Sequence, residues 1–314
     1  MRVCLVMAGA FTFAAASAGA QPIVQVGFDA SASMLTAQER ADIGSHLVAA
    51  GRLWAVALGI TRPVTIDVRV GIAPIATANG ASVATAPVGV VAGRDTYEQG
   101  AAYELRTGVD VNGAQADAIV NIGLAYLRDE LWFDPDPLAR TAPVPADRTD
   151  AMSVFLHEWG HVLAYNGWSD PTSGAPPATY WSTFDRWMQP GAPTLFAGPA
   201  SSLSWGSAPD LTTGNNKHWG NADATTVAVR AAPPVAWRDG APVPWKACEL
   251  LPSRDAPPSG DAALRGAGGL IDELMNGVVF YRGTRYGLSA LDRALLLDVG
   301  LLDERLFASG FDPG

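Results

Sequence analysis

His157-Glu158-Trp159-Gly160-His161 sets two imidazoles four residues apart, with a carboxylate directly after the first. On a helix, residues at that spacing lie one turn above each other on the same face. Both rings can then aim a nitrogen at one metal ion, and Glu158 is placed to take a proton from water held there. Two histidines and a glutamate leave a catalytic zinc site one ligand short. The chain contains only four histidines: His46, His157, His161 and His218. His46 falls inside a long helical stretch and reads as a solvent-facing or internally satisfied residue. His218, in the polar, turn-rich run Asn215-Asn216-Lys217-His218-Trp219-Gly220, is the expected third ligand. The rival carboxylates are Asp170, Asp185, Glu249, Asp272 and Glu273. A glutamate ligand would have to come from a second helix facing the motif, whereas Glu273 precedes a turn-like Leu274-Met275-Asn276-Gly277.

The elements that must position these residues can be read from periodicity. Ile23 to Phe28 alternates as a strand, and Val64 to Ile72 does so most clearly. Thr36 to Leu58 reads as a long helix with a Thr36/Glu39 capping box, with Ile43, Leu47, Leu53 and Trp54 on one face and Gly59 as its stop. Val88 to Ala92 and Ala118 to Ile122 are further strand candidates. Thr149 or Asp150 should cap the motif helix, Ala151 to Ala164, with the chain reversing at Asn166-Gly167. From Tyr165 to about Gly260 the pattern turns irregular. It returns at Ile271 and ends in a helix over Ser289 to Val299, stopped by Gly300. The expected class is α/β (α+β): a twisted mixed sheet with a long helix and an active-site helix, then an irregular C-terminal half ending in a helix. The expected division is 1–20 as signal peptide, 21–165 as a sheet and helix subdomain ending in the motif helix, and 166–314 as a C-terminal subdomain.

The 314 residues are 48% hydrophobic, enough for a substantial core. A net charge of −10 with only 21 Lys plus Arg argues against nucleic acid and anionic membrane surfaces as partners. Arg2, the apolar run Val3 to Ala16 and Ala18-Gly19-Ala20 read as a secretory signal cleaved near Ala20-Gln21. Export to the periplasm or medium, with no membrane anchor in the mature form, follows as an expectation. Cys4 lies in that signal, so Cys248 would be left without an internal disulfide partner and reads as a partly buried apolar residue. Calcium is compatible with the Asp-containing irregular half, but no EF-hand-like spacing supports it.

The order His157-Glu158-x-x-His161, His218-Trp219, Leu274-Met275-Asn276-Gly277, Leu288-Ser289-Ala290-Leu291-Asp292 and Asp298-Val299-Gly300 resembles the metzincin clan of zinc peptidases. More narrowly it is similar to leishmanolysin-like and related secreted bacterial members, in which an insertion separates the first two histidines from the third. Tyr180 to Met188 and Phe196-Ala197-Gly198-Pro199-Ala200 look like family segments within that insertion. The resemblance covers about Asp150 to Leu301. It implies His157, His161 and His218 as ligands of one Zn²⁺, Glu158 as catalytic base, and Met275 as the Met-turn beneath the histidines. The chain departs from the compact clan motif, because Ala164 and Gly167 stand where a glycine and the third histidine would be. The third ligand must therefore come from further along the chain.

These readings converge on a secreted, monomeric zinc endopeptidase acting on protein or peptide, with Glu158 assisting the attack of water. Extended substrate would pair with a sheet edge, expected at Ala118 to Ile122. Trp159, Trp168, Trp181, Trp187 and Trp219 are candidates to line subsites. The alternatives are a zinc hydrolase of a non-protein amide or ester, and a non-catalytic binding module that keeps the zinc fold.

Overall fold

The structure is a computed structural model that describes residues 22–220, 237–238, 241–242, 269–277 and 280–302. The expected signal segment and both cysteines lie outside the described residues. Strand β1 (Ile23–Phe28) leads through a 3-10 turn (Ala30–Met34) into helix α1 (Ala37–Ala57), which returns the chain to β2 (Thr65–Ala73). β1 and β2 pair in parallel, with Val24 opposite Ile66 and Val26 opposite Val68, the usual outcome of a strand-helix-strand crossover. The expected capping box is present. Thr36 Oγ1 accepts the Glu39 amide at 3.1 Å and Glu39 Oε2 accepts the Thr36 amide at 2.7 Å. Ile43, Leu47 and Trp54 are buried, while Leu53 is only half-buried.

Strand β3 (Ala78–Ser82) is followed by a hairpin of β4 (Thr85–Val91) and β5 (Arg94–Gln99), then helix α2 (Gly100–Thr107) and β6 (Ala118–Gly123). The main sheet has the order β1-β2-β6-β3, with β3 antiparallel to β6. The edge strands of this sheet are therefore β1 and β3, and Ala118 to Ile122, expected at the edge, lies inside, paired on both sides. The reason is physical. β6 carries Val120 and Ile122, both buried, whereas Ala-Asn-Gly-Ala-Ser of β3 has no β-branched residue and tolerates an edge.

Short strands β7 (Leu131–Trp132) and β8 (Thr149–Asp150) precede helix α3 (Ala151–Leu163), which contains the motif. Asp150 is its N-cap, accepting from the Ser153 amide at 3.2 Å and pairing with Arg140 at 2.8 Å. All thirteen residues of α3 are buried, which marks a helix enclosed by its neighbours rather than a surface helix. Two tryptophans tie it to α1: Trp54 Nε1 donates to the Leu156 carbonyl at 2.9 Å, and Trp159 Nε1 donates to the Leu47 carbonyl at 3.1 Å. Gly51 makes this approach feasible, because a Cβ there would sit 2.8 Å from the Trp159 ring.

The segment after α3 contains β9 (Tyr180–Ser182), β10 (Met188–Gln189), β11 (Leu195–Phe196) and helix α4 (Pro199–Trp205), with long irregular stretches between them. The final helix α5 (Ala290–Asp298) starts from a Ser289/Asp292 capping box, and Gly300 follows at φ 85°. The Asp298 carboxylate accepts the Ala200 and Ser201 amides at 2.8 Å each, joining α5 to the first turn of α4. The molecule is α+β, and one hydrophobic core runs from Ala32 through Phe155 and Trp219 to Leu302. The two halves on either side of α3 therefore share their apolar interior.

Candidate metal centre

His157 and His161 lie on successive turns of α3, and both are fully buried. His218 reaches them from the Leu211–Gly220 turn. Their Nε2 atoms form a close triangle: 3.1 Å between His157 and His161, 3.1 Å between His157 and His218, and 2.9 Å between His161 and His218. Each Nδ1 faces a backbone carbonyl, Leu274 at 2.8 Å, Tyr165 at 2.8 Å and Asn215 at 3.2 Å. A carbonyl oxygen only accepts, so each Nδ1 carries the proton and each Nε2 presents a lone pair. Burial holds all three imidazoles below their ordinary pKa. That of His157 falls to about 4, and His161 and His218 are lowered further by their neighbouring imidazoles. Three lone pairs converging within hydrogen-bond distance repel unless a cation lies among them. Tetrahedral ligation at about 2.0–2.1 Å places ligand nitrogens roughly 3.3 Å apart, and the triangle is within a few tenths of that. The residues present fit a metal ion.

The local sequence explains how the triangle is held. α3 ends at Leu163 with Ala164 as C-cap, and the Tyr165 amide donates back to the Gly160 carbonyl at 2.9 Å. That bend turns the Tyr165 carbonyl toward the His161 ring. The chain then reverses at Asn166-Gly167, where a Cβ on Gly167 would strike the Asp185 carboxylate at 2.2 Å. His218 is fixed through its neighbour. The Trp219 amide donates to the Met275 carbonyl at 2.7 Å, and the Gly277 amide donates to the Trp219 carbonyl at 2.8 Å. A Cβ on Gly277 would lie 2.7 Å from the His218 Cβ, so glycine is required for this approach. Trp219 Nε1 also donates to the Tyr165 hydroxyl at 3.1 Å, which donates to Asp292 Oδ1 at 2.8 Å. The third histidine is thus anchored to both α3 and α5.

Met275 is fully buried and lies against Gly160, whose added Cβ would be 2.4 Å from the Met275 sulfur. The residue between the two helical histidines is therefore the floor on which this methionine packs. Glu158 is buried, and its backbone carbonyl and Cβ lie directly beneath Gly80 of β3, where a Cβ would be 2.6 Å from the Glu158 oxygen. Among the described residues, Asp170, Asp185, Asp272 and Glu273 do not join the histidine cluster; Glu249 lies outside them. Asp185 instead caps backbone amides of Trp168, Ser169 and Ser182. His46 is buried, with Nδ1 against the Asp42 carbonyl at 2.8 Å and its ring against Phe133. It is buried rather than solvent-facing, with a partner on Nδ1 and none on Nε2.

Sequence patterns carried no sign of the three orienting carbonyls, because backbone acceptors leave no side-chain signature. Gly80 and Gly277 were equally silent as positioning residues. Of the five tryptophans read as subsite candidates, Trp159 and Trp219 are core, Trp181 and Trp187 are half-buried, and Trp168 is 39% exposed. This is an α+β chain with a buried three-histidine cluster able to hold a metal ion. Comparison with protein-family models, curated proteins and solved structures finds no match to it.

Proposed function

We propose that the chain is a secreted zinc-dependent endopeptidase of the metzincin type, with His157, His161 and His218 as the metal ligands and Glu158 as catalytic base. The observation that carries this reading is the triangle of Nε2 lone pairs, each oriented by a carbonyl on its Nδ1, beside a buried glutamate on the same helix. A donor set of three neutral imidazoles suits zinc, which when bound would supply Lewis-acid chemistry and make nearby water more acidic. Glu158 accepts the proton released as water attacks the scissile carbonyl and returns it to the leaving amine. Met275 under Gly160 and the late third histidine add support for the metzincin type.

The sheet edge supports a peptide substrate. β3 is antiparallel, terminal in its sheet and directly above Glu158. An extended chain can pair with such an edge through backbone hydrogen bonds that demand little of its sequence. Past Ser82 the edge opens into a groove lined by Ala84, Gln99, Asn166 and Trp168, a seat for one substrate side chain. Secretion rests on the N-terminal signal pattern, and among the described residues no helix is long and apolar enough to cross a membrane. Degradation of casein, blocked by a chelator and restored by zinc, tests the activity. Glu158→Gln should cut the rate by about 10²–10⁴ with metal content unchanged. Hydrolysis at the wild-type rate in that variant would sink the assignment of the base.

A further inference from the structure

At the far end of β6 from its Gly123 terminus, a second group of potential ligands comes together without histidine. Glu104 on α2, Asp110 on the following loop and Asp117 just before β6 bring carboxylate oxygens within 4.8 Å of one another. Glu104 is only 7% exposed, and its Oε2 is buried with no hydrogen-bond partner. The groups that face it are the carboxylates of Asp117, Asp110 and Asp67. Among the described residues none of these four pairs with a cationic side chain. A buried carboxylate aimed at other carboxylates, with no donor reaching it, costs several kcal/mol unless a proton or a cation joins it. Without a cation, burial and the facing acids push the Glu104 carboxyl up to about 8.

The loop is built to hold its oxygens in place. Asp110 Oδ1 accepts the Asn112 and Gly113 amides at 2.9 and 2.7 Å, and Gly113 takes the left-handed conformation at φ 64°. Asn112 Nδ2 donates to the Ala116 carbonyl at 3.1 Å, while its Oδ1 is buried with no donor. Asp117 Oδ2 accepts the Asp67 amide at 2.7 Å, and the Asp117 amide donates back to the Asp67 carbonyl at 2.8 Å. The Asp117 carbonyl accepts the Val83 amide at 2.9 Å, immediately after β3.

We propose that Glu104, Asp110 and Asp117 form a calcium site. All the donors are oxygen, which selects a hard cation, and three carboxylates supply roughly three to six of the six to eight oxygens calcium takes. Backbone carbonyls and water complete such a shell. The ion would clamp α2, the 108–117 loop and the β6 start, and through Asp117 the end of the edge strand. It shares no residue with the histidine cluster, and its role is to stabilise the fold where α2, the loop and the sheet meet.

The test is equilibrium dialysis of the purified protein against radioactive calcium, with thermal unfolding in parallel. One ion per chain should bind with a Kd of about 10⁻⁴–10⁻³ M, the range of extracellular modules. At calcium about 100-fold above Kd the folding equilibrium should rise about 100-fold, read as a higher melting temperature. Asp110→Asn, on an exposed loop and safe for folding, should weaken binding about tenfold or more, and Glu104→Gln should abolish it. His218→Ala should bind calcium as wild type does. No saturable binding by about 10 mM calcium, or equal binding by Asp110→Asn, would overturn the proposal. So would loss of calcium uptake in His218→Ala, or a Glu104→Gln variant that is stabilised while calcium affects neither protein.

Discussion

Three backbone carbonyls decide which nitrogen of each clustered histidine carries its proton. Leu274, Tyr165 and Asn215 take the Nδ1 hydrogens, and the Nε2 lone pairs are left to converge. Such outer partners orient the ring and raise its basicity as a ligand. At this scale His218 is the residue that tests the site. His218→Ala leaves two imidazoles, and metal occupancy should fall by more than the about 10–100-fold typical of losing an outer partner. Metal analysis of the purified variant reads this directly, and full occupancy would transfer the third position to another side chain. The pairing of His157 with His161 was legible from spacing alone, since the helix repeat brings four-apart side chains together. His218 was legible only by elimination, because a loop residue has no period to reveal its direction.

Among the elements, β3 shows most clearly how packing overrides local preference. Ala-Asn-Gly-Ala-Ser has weak strand propensity, yet it pairs with β6 over five residues and crosses α3 at Glu158. Gly80 is what allows the crossing. Gly80→Ala would place a methyl 2.6 Å from the Glu158 carbonyl, a backbone atom that cannot swing aside. The expected cost is about 1–3 kcal/mol, seen as a lower melting temperature together with reduced peptide hydrolysis. A variant that melts and cleaves as wild type would mean that β3 does not press on α3. By contrast, β1, β2, α1, α3 and α5 were readable beforehand, from strand alternation, helical period and caps at Thr36, Asp150 and Ser289. Their signals are local, so no distant contact was needed to see them.

At the scale of the whole molecule, the histidine cluster closes a chain of contacts rather than a single loop. Trp219, next to His218, is stitched to Met275, Tyr165 and Asp292, and α3 to α1 through two tryptophans. A metal bound there ties the C-terminal segments to the sheet half, and binding only the folded state adds to its stability. With zinc about 100-fold above its Kd the gain is about 2.7 kcal/mol. Chelation should therefore lower the unfolding midpoint and added zinc should restore it, as followed by circular dichroism. An unchanged midpoint would show that metal is not linked to folding.

Sequence alone determined helices α1, α3 and α5, strands β1 and β2, the helical histidine pair and the turn around Met275, because each depends on neighbours close in the chain. It misassigned the sheet edge, since Ala118–Gly123 reads as a strand equally well at either place. Only the tertiary structure decided that β6 lies inside and β3 outside, that three distant carbonyls orient the histidines, and that Glu104 meets Asp110 and Asp117. Those outcomes depend on which segments pack together, and packing is set by burial summed over the whole core rather than by any local pattern.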